Sequence, residues 1–399
     1  MRVAPALAVV AAMALPAPSI AQDFEFYAFG DARVVAPPDE RSVRDGGLGK
    51  ARYGGGDVSP ELGEISAIGR AQLLPELSTY AHVRYEPTQQ HMLDLVEGYA
   101  RYRPVSTTPL RGSVKMGAFF PPISLENEGI GWTSLWTLTP SAINSWVGDE
   151  LRTIGGEGQL EWRGVEYQIE ATAALFAAND PAGVLLADRG WSFNDRPAGL
   201  FDHNRLPDVG AFAGQATPIF SQPFREIDGR VGWYVGLSGR WLEDTHVAVL
   251  YYDNDANPSA FEAGQFAWRT KFWSLGAETR IDAWVLKSQV MVGSTVIAPR
   301  GMGFRTDFEA AYVLVGREFG KWRLAARGDQ FSTNGYVRTA DLGENGYAAT
   351  LALTWRPLDW LRITTEFLHI DSTREQRVLE GLSARTPDNQ LQVAFRLIY

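Results

Sequence analysis

Strict alternation of apolar and polar residues, repeated along most of the 399-residue chain, is the feature that most limits how it folds. One segment sets Trp284, Leu286, Ser288, Val290 and Val292 against Val285, Lys287, Gln289 and Met291. Another sets Val165, Tyr167, Ile169, Ala171, Ala173 and Leu175 against Glu166, Gln168, Glu170 and Thr172. A third sets Phe266, Trp268, Thr270 and Phe272 against Arg269 and Lys271. The last sets Leu391, Val393, Phe395, Leu397 and Tyr399 against Gln390, Gln392, Ala394 and Arg396. Period 2 is the geometry of a β-strand whose two faces meet different surroundings. The chain holds about sixteen such segments, each near the roughly 9–11 residues that a tilted strand needs to cross a bilayer. Strand counts of about fourteen or eighteen are the neighbouring alternatives.

The connections alternate in length, with one modest exception at Pro87–Met92. Turns fall at Pro75, Gly164, Asp282, Gly320 and 357–359, and longer loops at 36–63, 120–155, 178–229, 332–345 and 372–389. That rhythm is expected of a barrel with short turns on one side of a membrane and long loops on the other. Composition agrees. The chain carries 13 Trp, 14 Tyr, 20 Phe and 40 Gly, yet its mean hydropathy is only −0.16, and no stretch after Ala21 has the length and apolarity of a membrane helix. A lipid face made from every second residue reconciles many aromatics with low hydropathy. The fold class is therefore all-β, a transmembrane antiparallel β-barrel.

At the start, Arg2 precedes the apolar run Val3–Pro18, and Ser19-Ile20-Ala21 offers small residues for cleavage. Residues 1–21 read as a secretion signal, leaving 22–399 as one barrel domain. Exported and without cysteine, the chain has no disulfide framework and depends on size and backbone pairing. The formal net charge of −10 argues against nucleic acid as a partner. The terminal strand, ending Phe395-Arg396-Leu397-Ile398-Tyr399, resembles the insertion signal of outer-membrane barrels.

The run Lys115-Met116-Gly117-Ala118-Phe119-Phe120-Pro121-Pro122-Ile123-Ser124-Leu125-Glu126 is similar to the strand and loop start of the phosphate-selective O/P porin family. Val96–Tyr102, Thr139–Asn144 and Gly155–Gly158 resemble its flanking segments. The resemblance implies a trimeric, 16-stranded barrel whose third external loop folds into the lumen. Members with anion selectivity carry a ladder of arginines and a ring of lysines. This sequence departs from that pattern, since its third loop carries Glu126, Glu128, Asp149 and Glu150 with Arg152 as the nearby cation.

The expected function is passive diffusion of small hydrophilic solutes or ions through a water-filled pore in the outer membrane of a Gram-negative cell. A substrate-specific channel for phosphate, polyphosphate or a sugar is the alternative, and a closed barrel enzyme or adhesin a more distant one. Expected partners are outer-membrane lipid and lipopolysaccharide, further copies of the chain, and the solutes. No cofactor, metal or catalytic residue is expected. Neither a zinc-protease helix motif, a nucleophile elbow nor a phosphate-binding loop is present. His369 and Asp371 fall on the lipid side of their strand in this register. Asp253-Asn254-Asp255-Ala256-Asn257 lacks the glycine and distal glutamate of a calcium loop.

Constriction candidates on the third loop are Glu126, Glu128, Trp132, Trp136, Asn144, Trp146, Asp149 and Arg152. Tryptophans there could form a slide for sugars or pack the loop against the wall. Lumen charge candidates are Arg84, Arg101, Lys115, Arg269, Lys271, Arg323, Arg327, Arg362, Glu166, Glu170 and Glu366. Opposed charges across a narrow pore set selectivity, whereas paired ones only solvate the wall. The fourth loop, 178–229, is long enough to be a lid, a plug or a binding rim.

Overall fold

The computed structural model describes residues 23–207, 219–242, 244–337, 340–341 and 343–399. The signal segment 1–21 and residues 208–218 of the fourth loop lie outside the described residues.

Sixteen strands form the wall. They are β1 (Asp23–Ala36), β2 (Ser59–Leu74), β3 (Leu77–Tyr85), β4 (Leu93–Tyr102), β5 (Leu110–Phe119), β6 (Thr153–Arg163), β7 (Tyr167–Ala177) and β8 (Gly232–Trp241). The second half comprises β9 (Thr245–Asp253), β10 (Arg269–Ile281), β11 (Trp284–Ile297), β12 (Phe304–Phe319), β13 (Trp322–Val337), β14 (Glu344–Leu358), β15 (Leu361–Arg374) and β16 (Arg385–Ile398). Each pairs antiparallel with its chain neighbour, and β1 closes on β16 from Phe29↔Ile398 to Ala36↔Leu391. Closure leaves no open sheet edge, which is what hydrocarbon demands of a β-structure.

Burial along the strands is inverted relative to a water-soluble barrel. On β14, Leu351, Leu353 and Trp355 are exposed while Thr350, Ala352 and Thr354 are buried. On β11, Leu286, Val290 and Val292 are exposed while Lys287 and Gln289 are fully buried. Water would penalise such a surface; lipid does not. Exposed aromatics gather at the turn end of this surface, among them Trp241, Trp284 and Trp360. Trp322 and Trp355 stack there across neighbouring strands at 5.6 Å. A rim of this kind suits the boundary between hydrocarbon and headgroups. Among the described residues, no helix is long and apolar enough to cross a membrane.

Two expectations from the sequence need correction. Arg269 and Lys271 do not face the lumen. They share the outward face of β10 with Trp273 and Leu275, while Thr270 and Phe272 point inward and are buried. The inward aromatics misled the pattern, because they pack on loops inside the barrel. Phe272 lies 5.5 Å from Trp146 and 4.9 Å from Tyr252, ring centre to ring centre. Phe266 belongs to a separate two-residue pairing with Phe261. At the loop end of the strand an outward cation costs little, and Arg269 is paired with Asp253 at 3.3 Å and Asp255 at 3.0 Å. Glu166 is likewise not a lumen charge. It sits exposed in the turn before β7, where its carbonyl accepts the Leu242 N–H at 2.8 Å.

Candidate functional site: the third loop and the lumen wall

The third loop leaves β5 where the backbone is constrained. Gly117 has φ +137, and a Cβ there would meet the Gly98 carbonyl oxygen at 2.3 Å. Only glycine fits so close an approach. Pro121 and Pro122 then end the strand, because proline donates nothing to a ladder. The loop crosses to a short helix, α1 (Ala142–Glu150). Ser141 caps it by accepting the Asn144 N–H at 3.3 Å.

The loop is held by inward side chains of β10 to β16. Lys287 donates to the Leu125 carbonyl at 2.7 Å and pairs with Glu128 at 2.8 Å. Gln289 donates to the Ile123 carbonyl at 2.9 Å. Arg327 is fully buried and paired with Glu126 at 2.6 Å and Asp329 at 2.7 Å. It also donates to the Thr139 and Pro140 carbonyls at 2.7 and 3.1 Å. Glu366 accepts the Thr139 N–H at 3.0 Å. Thus Glu126, Glu128, Arg327 and Glu366 are anchors of the loop. Asn144 belongs with them, since its amide donates to Glu126 at 3.1 Å.

The loop tryptophans divide by role. Trp146 is buried against Trp191, Phe272 and Phe308, and its Nε1–H donates to Glu150 at 2.5 Å. Trp132 stacks on Phe120 at 3.9 Å, nearly parallel. Arg152 covers the other ring contact of Phe120 at 3.4 Å. Trp146 is a packing residue. Trp132 and Trp136 both line a cavity, where Trp136 lies 4.8 Å beneath the Arg323 guanidinium. Arg152 is buried and donates to the carbonyls of Val96, Leu151 and Ala198. Burial pushes its pKa down to about 9, against the pull of Glu97. Asp149 is fully buried and accepts from Arg44 at 2.9 Å, Arg189 at 2.8 Å and Asn194 at 3.0 Å.

Asp149 leads to residues that the sequence reading left out. The first and fourth loops fold inward beside the third. Lys50, Arg52, Trp191, Phe193 and Asp195 are buried or nearly so. Asp195 joins wall to loops, pairing with Arg33 of β1 at 2.5 Å and Arg52 of the first loop at 2.8 Å. Burial alone would raise its pKa, but the two guanidiniums outweigh that and hold it well below the usual range. On the inward face of the wall, Arg84 of β3 pairs with Glu64 of β2 at 3.8 Å and donates to the Pro197 carbonyl. Alternation could not reveal these contacts. The only sequence signal was the density of Arg and Asp between Asp188 and Asp202.

Below the loops, toward the turn end, the inward face is polar and more open. Arg323, Arg362 and Arg396, with Trp136 and Glu64, line a cavity of about 40 Å³. Arg362 sits directly opposite Arg396 across the ladder. Arg396 is paired with Asp31 at 2.6 Å and Arg323 with Glu318. Among the described residues, Arg362 has no hydrogen bond or ion pair. On the far wall, Lys115 pairs with Glu157 at 2.8 Å and Arg101 donates to Gln159 at 2.6 Å. Glu170 accepts from Thr172 at 3.4 Å.

Sixteen antiparallel strands closed into a barrel, with apolar residues outward and charged residues inward, define the class as the porin fold. No protein-family model matches the sequence, and no curated protein matches it. Solved structures do. The chain is similar to the outer-membrane channel DcaP of Acinetobacter baumannii (TM-score 0.57, 8% identity, covering 94% of this chain and 97% of that one). It is similar to a loop L8 deletion mutant of OmpT, an outer membrane protein of Vibrio cholerae (TM-score 0.53, 10% identity, 94% and 99% covered). It is also similar to Salmonella typhi OmpF in complex with daunomycin (TM-score 0.53, 10% identity, 94% and 97% covered).

Proposed function

We propose that the chain is an outer-membrane porin through which small hydrophilic solutes and ions diffuse passively. One observation carries the reading: a closed wall with apolar residues outward and charged residues inward, crossed by a loop that inward side chains anchor. Flow is driven by the solute's own gradient. Size exclusion comes from the third loop, and charge preference from side chains left unneutralised below it. The partners are lipid and lipopolysaccharide outside and the passing solute inside. A secretion signal at 1–21 is removed on export. Outward positions on β2 to β6 are small, including Ala67, Gly69, Ala81, Ala100, Gly156 and Gly158, which suits close contact with further copies in a homotrimer. The reading is of a channel, not an enzyme: the His369–Asp371 pair faces outward, with His369 bound to Asn389 and Asp371 to Arg385.

A second reading is favoured by the arginines under the loop. Arg323, Arg362 and Arg396 around one cavity offer cations to an anion, which supports a channel with preference for phosphate or polyphosphate. Swelling of proteoliposomes in graded solutes tests the main reading. Influx of a pentose faster than a disaccharide is expected. Vesicles holding folded barrel that swell no faster than empty ones would overturn it.

A further inference from the structure

Away from the arginine cavity, the opposite lumen wall carries an aromatic surface with no packing partner across the pore. Tyr80 of β3 and Tyr99 of β4 face inward at directly paired positions. Their rings stack at 5.0 Å with 19° between planes. Phe119 of β5 extends the row, edge-on to Tyr99 at 5.8 Å. In the loop-filled half of the lumen, inward aromatics are buried by loops. Tyr80 and Tyr99 lie below the loops and are only half-buried. Among the described residues, neither hydroxyl has a hydrogen-bond partner.

Cations border this surface. Arg70 sits opposite Tyr80 on β2, more than half exposed, with Glu25 at 3.5 Å. Lys115 lies 3.9 Å from the Phe119 ring centre and 5.5 Å from that of Tyr99, and is neutralised by Glu157. Arg101 follows two residues after Tyr99 on the same face and is paired with Lys115 across the ladder. It bonds only to the neutral groups Ser113 and Gln159, and has no carboxylate partner among the described residues.

We propose that Tyr80, Tyr99 and Arg101 form a lumenal binding site for ring-bearing carboxylates, specifically aromatic carboxylates. Offset stacking is the favoured contact between flat rings, and the stacked tyrosines offer a ring face and two free hydroxyls. A carboxylate on the bound ring reaches the uncompensated Arg101, where a charge-assisted hydrogen bond is stronger than a neutral one. The site selects for the combination of ring and charge. Acetate has the charge alone. This inference rests on the passive-channel reading.

The test is block of chloride current through single channels by benzoate, with acetate at equal concentration as control. Benzoate is expected to reduce the current at concentrations where acetate does not. In a Tyr80→Leu/Tyr99→Leu variant the half-blocking concentration should rise by about tenfold, the effect of losing one to two stacking contacts. Tyr99→Phe keeps the ring and should keep most of the block. Arg101→Gln should raise the half-blocking benzoate concentration, read relative to that variant's own unblocked chloride current. Equal effects of benzoate and acetate on the wild-type channel, which needs no variant to fold, would overturn the site while leaving the porin reading intact. Absence of any chloride current would overturn both.

Discussion

The two halves of the lumen solve opposite problems with the same alternating strands. In the half that the long loops fill, inward residues such as Tyr234, Tyr252, Phe272, Phe308 and Phe331 are buried against loop residues including Trp146, Trp191 and Phe193. Its charges are neutralised in closed sets, such as Glu126–Arg327–Asp329 and Arg33–Asp195–Arg52. In the half near the turns, inward residues are Arg101, Lys115, Arg323, Arg362 and Glu170, and several are only partly buried or paired. The first half is a protein core placed inside a barrel. The second is a wetted wall. Substitutions should therefore act on stability in one half and on permeation in the other.

The largest expected effect is in the core half. Arg327→Ala strands Glu126 and Asp329 without their cation. Removing one partner of a buried ion set costs about 3–5 kcal/mol, so the urea midpoint of the folded barrel should fall sharply, and channel current should become noisy as the third loop loosens. A midpoint within error of wild type would break the comparison. Asp195→Ala comes next, leaving Arg33 and Arg52 to share the remaining carboxylates Asp31 and Glu86. A loss of roughly 2–3 kcal/mol is expected, somewhat below the range for a fully unpaired buried charge, with single-channel conductance rising as the first and fourth loops separate.

In the wetted half, Arg362→Gln should change stability by less than about 0.5 kcal/mol, as for positions without a buried partner. Its signature is instead a reversal potential shifted toward cations under a salt gradient. A large loss of stability with unchanged selectivity would place Arg362 in the wrong half. Lys271→Gln sharpens the corrected register of β10. Because Lys271 faces outward, neither conductance nor selectivity should change. A selectivity shift comparable to that of Arg362→Gln would restore it to the lumen.

The smallest effect concerns pH and the fourth loop. Asp180 lies within a carboxylate cluster with Glu226 and Asp228. Burial and these neighbours raise its pKa to about 7, opposed by N–H donation from Ile227. A carboxyl with a raised folded pKa binds more protons folded than unfolded between about pH 4 and 7, so stability falls as pH rises through that window. The thermal midpoint should drop by about 2–4 °C between pH 5 and pH 8, and Asp180→Asn should flatten that dependence.

The strands were legible in the sequence because lipid and water impose opposite requirements on alternate residues, and the expected count of about sixteen wall strands is the count observed. Facing was legible where one side held polar residues and the other apolar ones, as on β11 with Lys287 and Gln289 and on β16 with Gln390, Gln392 and Arg396. It failed on β10 because Phe272 and Thr270 answer to a third environment, the buried loops, which period 2 cannot separate from lipid. The third loop's acidic residues were visible as candidates, yet their partners Lys287 and Arg327 lie about 160 to 200 residues away, and no local pattern encodes that. The inward folding of the first loop was invisible for the same reason, and for the fourth a plug was only one of three expectations, beside a lid and a binding rim. So was the stacking of Tyr80 on Tyr99, which depends on the one-residue bulge that separates Leu95 from Glu97 in the β3–β4 pairing.

The central claim, a passive pore narrowed by an anchored loop, is tested most directly by single-channel recording of the refolded protein in a planar bilayer under a salt gradient. The account predicts steady, ohmic current steps grouped in threes, with a reversal potential that moves toward cations when Arg362 is neutralised. A folded, heat-modifiable barrel that carries no current, with the third loop's anchors intact, would contradict it.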